Sequence, residues 1–287
     1  MNRIVYLNGR YVPEREAVIP VFDRAVLFGD AVYDVVAVLE GRFINYDNHF
    51  LRLARSLDAL SIPCPVDRDG LLDAARELVA RNRLSEGAVY VQVSRGVEDR
   101  DFLYGKDLAP SLFMFTQEKA VLNHPGTSGI GLKSVPDIRW ARRDIKSVNL
   151  LGQVLAKAAA REAGAQEALM IEADGHVTEC GSSSFFIFKD NRIVTRPLSR
   201  SILPGVTRKA LIALCRSHRI PLEERRFTLD EVHAADEAFL SSASSLVLPV
   251  VRVDDRPVGD GRPGPVYATM RENYIRYAMD SGVSTVP

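Results

Sequence analysis

The sequence predicts a mixed α/β (α+β) protein of two lobes, and three observations carry that expectation. Strand-like runs precede and follow helix-like periods in both halves, a stretch rich in glycine and proline separates the halves, and 287 residues suit about two domains. At 46% hydrophobic residues and a mean hydropathy of −0.04, the chain has the apolar material for a sizeable core. Disorder, collagen and disulfide scaffolds are excluded.

Residues 5–7 and 11–12 flank Asn8-Gly9, where both turn positions accept positive φ, so the chain opens with a hairpin. The run 31–39 (AVYDVVAVL) is a strand of β-branched and aromatic residues that Glu40-Gly41 turns into 42–45. Apolar residues at 50, 53, 54, 57 and 60 predict a helix over 49–61, and Leu71, Leu72, Ala75, Leu78 and Val79 predict another over 68–83. Strands follow at 88–94 and 112–116. The loop between them, 96–110, is long for a connector and carries Glu98, Asp99, Arg100 and Asp101.

Residues 123–131 (NHPGTSGIG) read as a linker, so the domains are placed at 1–120 and 132–287, with 121–131 between them. The second half starts with a strand at 132–135 and a helix over 148–163 that Gly164 ends; its apolar stripe is Leu150, Leu151, Val154, Leu155 and Ala158. Strands are expected at 167–171, 177–179, 185–188 and 193–195, with turns at Asp174-Gly175 and Asp190-Asn191. Thr207 is the expected N-cap of a helix running to 218, and Thr228 with Glu231 forms a capping box. A strand at 237–240 then enters the serine-rich turn 241–245.

The 37 lysines and arginines balance 37 aspartates and glutamates, which leaves no field to attract nucleic acid. Cys64, Cys180 and Cys215 lack a C-x-x-C spacing, and the N-terminus has no apolar leader, so a cytoplasmic protein without a membrane partner is expected. The five histidines show no ligand spacing and are read as surface or capping residues, with no metal. Phosphate-loop, dinucleotide, zinc-protease and hydrolase motifs are all missing. The turn Gly205–Thr207 does open a helix, and free N–H groups at such an end suit a phosphate, although an ordinary capped helix is the commoner reading.

The segment 137–157, DIRWARRDIKSVNLLGQVLAK, closely resembles the lysine segment of D-amino acid aminotransferases, branched-chain-aminotransferase-like pyridoxal phosphate enzymes of fold type IV. FGDAVYDVV (28–36), HFLRL (49–53), VYVQVSRG (89–96), VTE (177–179), SSS (182–184) and ILPGVTR (202–208) extend the resemblance over nearly the whole chain. It implies two domains, a homodimer, pyridoxal 5′-phosphate as cofactor, and transfer of an amino group between a D-amino acid and a 2-oxo acid such as 2-oxoglutarate or pyruvate.

Residue by residue, the resemblance assigns Lys146 the Schiff base with the cofactor, Glu179 the pairing with its pyridine nitrogen, and Arg52, Val206 and Thr207 its phosphate. Leu203 is expected against the ring. In the second phosphate loop Ala243 stands where threonine is usual, leaving Ser242 or Ser244 to donate. For the substrate carboxylate Tyr33, Tyr90 and Arg100 match, but Phe102 occupies the position of a histidine. Read without the resemblance, each of these residues is an ordinary strand, helix or loop residue. Other readings stay open: L-branched-chain transamination, (R)-amine transamination, aminodeoxychorismate lysis, and a non-enzymatic protein that only holds the cofactor.

Overall fold

The computed structural model describes residues 3–286. By contact, the chain separates into two compact units. One holds the chain up to Val121, Ile145–Asn149 and the chain from Met279 onward; the other holds Leu122–Asp144 and Leu150–Ala278. The first break falls beside the expected linker. Lys146, however, leaves the C-terminal domain to which the linear partition gives it. The Tyr33 amide donates to the Lys146 carbonyl at 3.0 Å and the Val148 amide to Ala31 at 3.1 Å, which ties this short segment to the first unit.

The first unit is built on an antiparallel seven-stranded sheet, in the order Val283–Ser284, Arg42–Phe43, Ala31–Leu39, Glu86–Ser94, Ser111–Glu118, Ile4–Leu7, Arg10–Pro13. Positive φ at Asn8-Gly9 and at Glu40-Gly41 closes the two predicted hairpins. Helices Tyr46–Ala59 and Arg68–Asn82 cover one face, where Val32, Val36, Val89, Val91 and Met114 meet Leu53, Leu57, Leu71, Leu72 and Leu78. Alternation sends Tyr33, Tyr90, Phe113 and Phe115 to the other face, where neighbouring rings stack.

Helix Arg68–Asn82 buries the five residues its period predicts. Helix Tyr46–Ala59 differs from the expected span and face: it buries Tyr46, His49, Arg52 and Ser56 beside Leu53 and Leu57. Its polar stripe has a partner, because Asp34 points from strand Ala31–Leu39 to the same side.

The second unit carries a nine-stranded mixed sheet in which Ile130–Pro136 lies parallel to both Glu167–Ile171 and Leu246–Val253, while Ser184–Lys189 and Glu237–Ser242 run antiparallel. Its core gathers Leu132, Leu169, Phe185, Ile187, Phe227, Leu240 and Val250. Helix Leu151–Glu162 overturns the expected stripe. Leu151 is 71% exposed and Val154 58%, whereas the small Ala156 and Ala160 are buried against Ala165, Ala168 and Met170. Gly164, at φ +70, does end this helix. Helix Pro265–Ser281 receives a cap from outside itself, as the Glu237 carboxylate accepts from the Val266 and Tyr267 amides at 2.9 and 2.8 Å.

Candidate active site

In the first unit, Lys146 is held by its backbone: its N–H donates to Ser56 Oγ at 3.2 Å, and Ser147 bridges to Val32. Its Nζ stands 4.2 Å from the centroid of the Tyr33 ring, and Tyr33 stacks on Tyr90 at 5.3 Å. Tyr90 Oη bonds Gln92 Oε1 at 2.7 Å, and burial raises its hydroxyl above the usual tyrosine range.

On the helix-covered face, Arg52 donates through Nε and Nη2 to the two oxygens of Asp34, both at 2.8 Å. His49 Nδ1 lies 2.7 Å from Asp34 Oδ1 and 3.3 Å from Arg52 Nη2. Burial works to raise the Asp34 carboxyl, but Arg52 and His49 outweigh it and hold Asp34 well below the carboxylate range. Burial lowers His49, which favours the neutral ring; Asp34 opposes that shift, and Arg52 and Lys146 add to it. The expectation that every histidine is a surface or capping residue therefore fails at His49. His124 fits it, its Nδ1 accepting from Gly126 N at 3.0 Å.

Arg100 lies 5.5 Å from the rings of both Phe28 and Phe102, and Phe102 is 77% exposed. Among the described residues no hydrogen bond or ring contact joins Arg100 to Tyr33 or Tyr90.

In the second unit, buried Glu179 accepts from Arg139 Nη1 at 2.6 Å and from the Leu203 amide at 3.1 Å. Arg139 is shared. Its Nε and Nη2 grip Asp137 at 3.0 and 2.7 Å, and Thr178 Oγ1 adds a third bond to that carboxylate at 2.7 Å. Burial raises the Glu179 carboxyl, and Arg139 opposes the rise without cancelling it. Burial likewise raises Asp137, but there Arg139 wins and the net shift is downward.

Helix Val206–Ser217 starts after Gly205, which is the N-cap; Thr207 sits inside the first turn, and its Oγ1 meets Tyr274 Oη at 3.4 Å. The expected Thr207 cap is thus displaced by two residues, because extended backbone at Gly205 already opens the helix. No side chain among the described residues caps it. A Cβ on Gly205 would stand 2.6 Å from Ser184 Oγ, and Ser184 pairs in register with Ser241, so the two serines share a face. Ser241 Oγ is buried without a partner among the described residues. Ser242 Oγ bonds Ser245 Oγ at 2.7 Å and accepts the Ser245 amide at 3.2 Å, closing a turn through Ala243 and Ser244.

Asp34, His49, Ser56, Asp137 and Arg139 escape sequence reasoning. The usable signal is polar residues at 49, 52 and 56, falling in line with Leu53 and Leu57. Among the described residues no three histidines, cysteines or carboxylates gather as metal ligands, and no helix is long and apolar enough to cross a membrane.

A first unit that pairs an antiparallel sheet with a lysine segment, and a second with a buried carboxylate beside an uncapped helix entry, define the type IV pyridoxal-enzyme fold. The family profile described as Amino-transferase class IV matches residues 31–253, so the chain belongs to the class IV aminotransferases. The chain is 35% identical to the D-alanine aminotransferase of Staphylococcus haemolyticus over 274 residues, 95% of this chain and 97% of that one. The corresponding figure for the D-alanine aminotransferase of Bacillus licheniformis is 37% over 262 residues, covering 91% and 92%. In fold it is similar to the branched-chain amino acid aminotransferase of Escherichia coli, with TM-score 0.91, 23% identity and coverage of 97% and 95%. The branched-chain aminotransferase of Thermoproteus uzoniensis with norvaline gives TM-score 0.87 at 26% identity, covering 97% and 95%.

Class IV aminotransferases depend on pyridoxal 5′-phosphate, and the groups present fit it. A helix entry that no side chain among the described residues caps, the Gly205 cradle and the Ser241 hydroxyl, buried without a partner among those residues, suit a phosphate. Buried Glu179 would suit a protonated ring nitrogen, and the Lys146 amine would suit an aldehyde.

Proposed function

We propose that this aminotransferase exchanges an amino group between a D-amino acid such as D-alanine and a 2-oxo acid, 2-oxoglutarate or pyruvate, in two half-reactions. The observation that carries the reading is Lys146, its backbone pinned by Ser56 and Tyr33 and its amine over the Tyr33 ring. Likeness to D-alanine aminotransferases across more than nine-tenths of both chains supports the substrate class.

When bound, pyridoxal phosphate supplies an aldehyde that captures amines and a ring that accepts electrons. Lys146 Nζ would hold the aldehyde at rest; once the substrate amine displaces it, the freed amine would take the Cα proton and pass it to the cofactor rather than back to Cα. Glu179, steadied by Arg139 and the Leu203 amide, would keep positive charge on the ring nitrogen. Each unit would offer its own groups to a phosphate: Arg52 in the first, and in the second the amides of Val206 and Thr207 and the serine turn at Ser242, Ala243 and Ser244. Leu203 would pack on the ring. Tyr33, Tyr90 and Arg100 orient the substrate carboxylate, and Phe102 gives Arg100 an aromatic face in place of a hydrogen-bonding imidazole.

A homodimer belongs to the same proposal: Val18, Val21, Phe22, Leu103, Leu151 and Val154 are exposed apolar groups that a second copy would cover. Three unpaired cysteines fit a cytoplasmic setting. Sedimentation of the purified protein checks the first point, with monomer mass as the contrary result.

The test of activity is the absorption of the cofactor-loaded protein before and after D-alanine or L-leucine, without any 2-oxo acid. Conversion by D-alanine alone is expected. Conversion by L-leucine alone would replace the substrate class.

A further inference from the structure

We propose that Asp34 and His49 are positioning residues: Asp34 grips Nε and Nη2 of Arg52 while His49 steadies that carboxylate, and together they set the orientation in which Arg52 receives the cofactor phosphate. This rests on the assignment of Arg52 to that phosphate. The geometry is that of a fixed mount. Two parallel bonds of 2.8 Å lock the guanidinium plane to the Asp34 carboxylate, and the His49 ring, with a proton on Nδ1, donates to the same carboxylate at 2.7 Å. All three side chains are buried, Asp34 at 1% exposure. An arginine on a flexible stem loses rotamer freedom when it binds an anion, and here that loss precedes the ligand.

One helix face carries the whole device. His49, Arg52 and Ser56 follow one another at helical spacing, so the residue that meets the phosphate and the residue that bonds the Lys146 amide are set by the same rigid element. Anchor and lysine therefore keep a constant separation. Tyr33 and Asp34, neighbours on strand Ala31–Leu39, serve opposite faces: the first lies under the lysine amine, the second grips the arginine.

Net charge and orientation predict opposite effects for the same residue. Asp34 neutralises Arg52, so its removal should tighten phosphate binding if net charge alone counts, and loosen it if orientation counts. The deciding quantity is the ratio of affinities for pyridoxal phosphate and phosphate-free pyridoxal, measured by titrating cofactor-stripped full-length protein. Asp34→Asn is expected to weaken pyridoxal phosphate by about 10-fold while leaving pyridoxal nearly unchanged, as expected for one charge-assisted contact. His49→Gln is expected to act in the same direction by about 3-fold, and the double variant to be no worse than Asp34→Asn alone, since both act through Arg52.

An unchanged or increased ratio in Asp34→Asn, with the ratio lost in Arg52→Ala, overturns the positioning role and keeps the phosphate assignment. A ratio retained in Arg52→Ala overturns the assignment itself. If Asp34→Asn does not fold, His49→Gln decides, and an unchanged ratio there counts against the proposal.

Discussion

Asp34 in the first unit and Glu179 in the second are both buried carboxylates bonded to an arginine, yet their acidities move in opposite directions. Asp34 has Arg52 on two bonds and His49 on a third. Glu179 receives one bond from Arg139, whose other nitrogens are committed to Asp137, and one from a neutral amide. The difference teaches that what sets a buried acid is how much of an arginine it owns. Asp34 is a closed structural pair. Glu179 is left partly compensated, as the proposed pairing with a second cation requires.

Lys146→Ala sets the upper end of the scale. Transamination of D-alanine should fall on the order of 10^4-fold, because both proton transfer and covalent capture go with the amine. Coupled assay of 2-oxo acid formation checks it, and near-normal turnover would sink the assignment.

Asp34→Ala comes next and tests the closed pair. It removes the carboxylate that takes two bonds from buried Arg52 and should cost about 3–5 kcal/mol in urea unfolding. The native value of Asp34 lies below its ordinary 3.8, so this stability is full above that pH and is lost as pH falls below it. The wild-type advantage over Asp34→Ala should therefore shrink only in acid.

Glu179→Gln should invert the pattern, lowering kcat by roughly 10²- to 10³-fold, the scale of one lost electrostatic contact, while costing under about 1 kcal/mol of stability. Its native value lies above the ordinary 4.5, so wild type loses stability relative to this variant as pH rises past 4.5. Equal stability losses at Asp34 and Glu179 would break the comparison. The smallest effect is a control away from both arginines: Thr228→Ala removes one arm of the capping box on Leu229–His233 and should cost about 1 kcal/mol, with kcat unchanged.

Local signals in the sequence were legible where a residue's own backbone decides the outcome. Asn8-Gly9, Glu40-Gly41, Gly164 and the Thr228–Glu231 box all act within a few residues, and all form. Lys146 and Glu179 were nameable from a motif, but their partners were not: Arg139 reads as one of three arginines in a basic run, and Asp34 as a lone polar residue in an apolar strand. Their roles depend on contacts between residues 18 and 40 positions apart. Helix Leu151–Glu162 shows the limit of periodicity. The large residues mark a stripe, but close packing against Ala165 and Ala168 selects the alanine face for burial. Strand Leu246–Val253 and helix Pro265–Ser281 went unread although Asp254-Asp255 turns the strand and Pro265 marks the helix's first position; the carboxylate that caps that helix, Glu237, is distant in sequence.

The first unit takes its edge strand, Val283–Ser284, and its lysine segment from distant parts of the chain. During synthesis it starts before the second unit but finishes after it. Until residues 283–285 leave the ribosome, strand Arg42–Phe43 has an open edge, and the Thr285 amide has not yet reached Gly41. A nascent chain thus closes the sheet of its first unit only after the second unit has emerged.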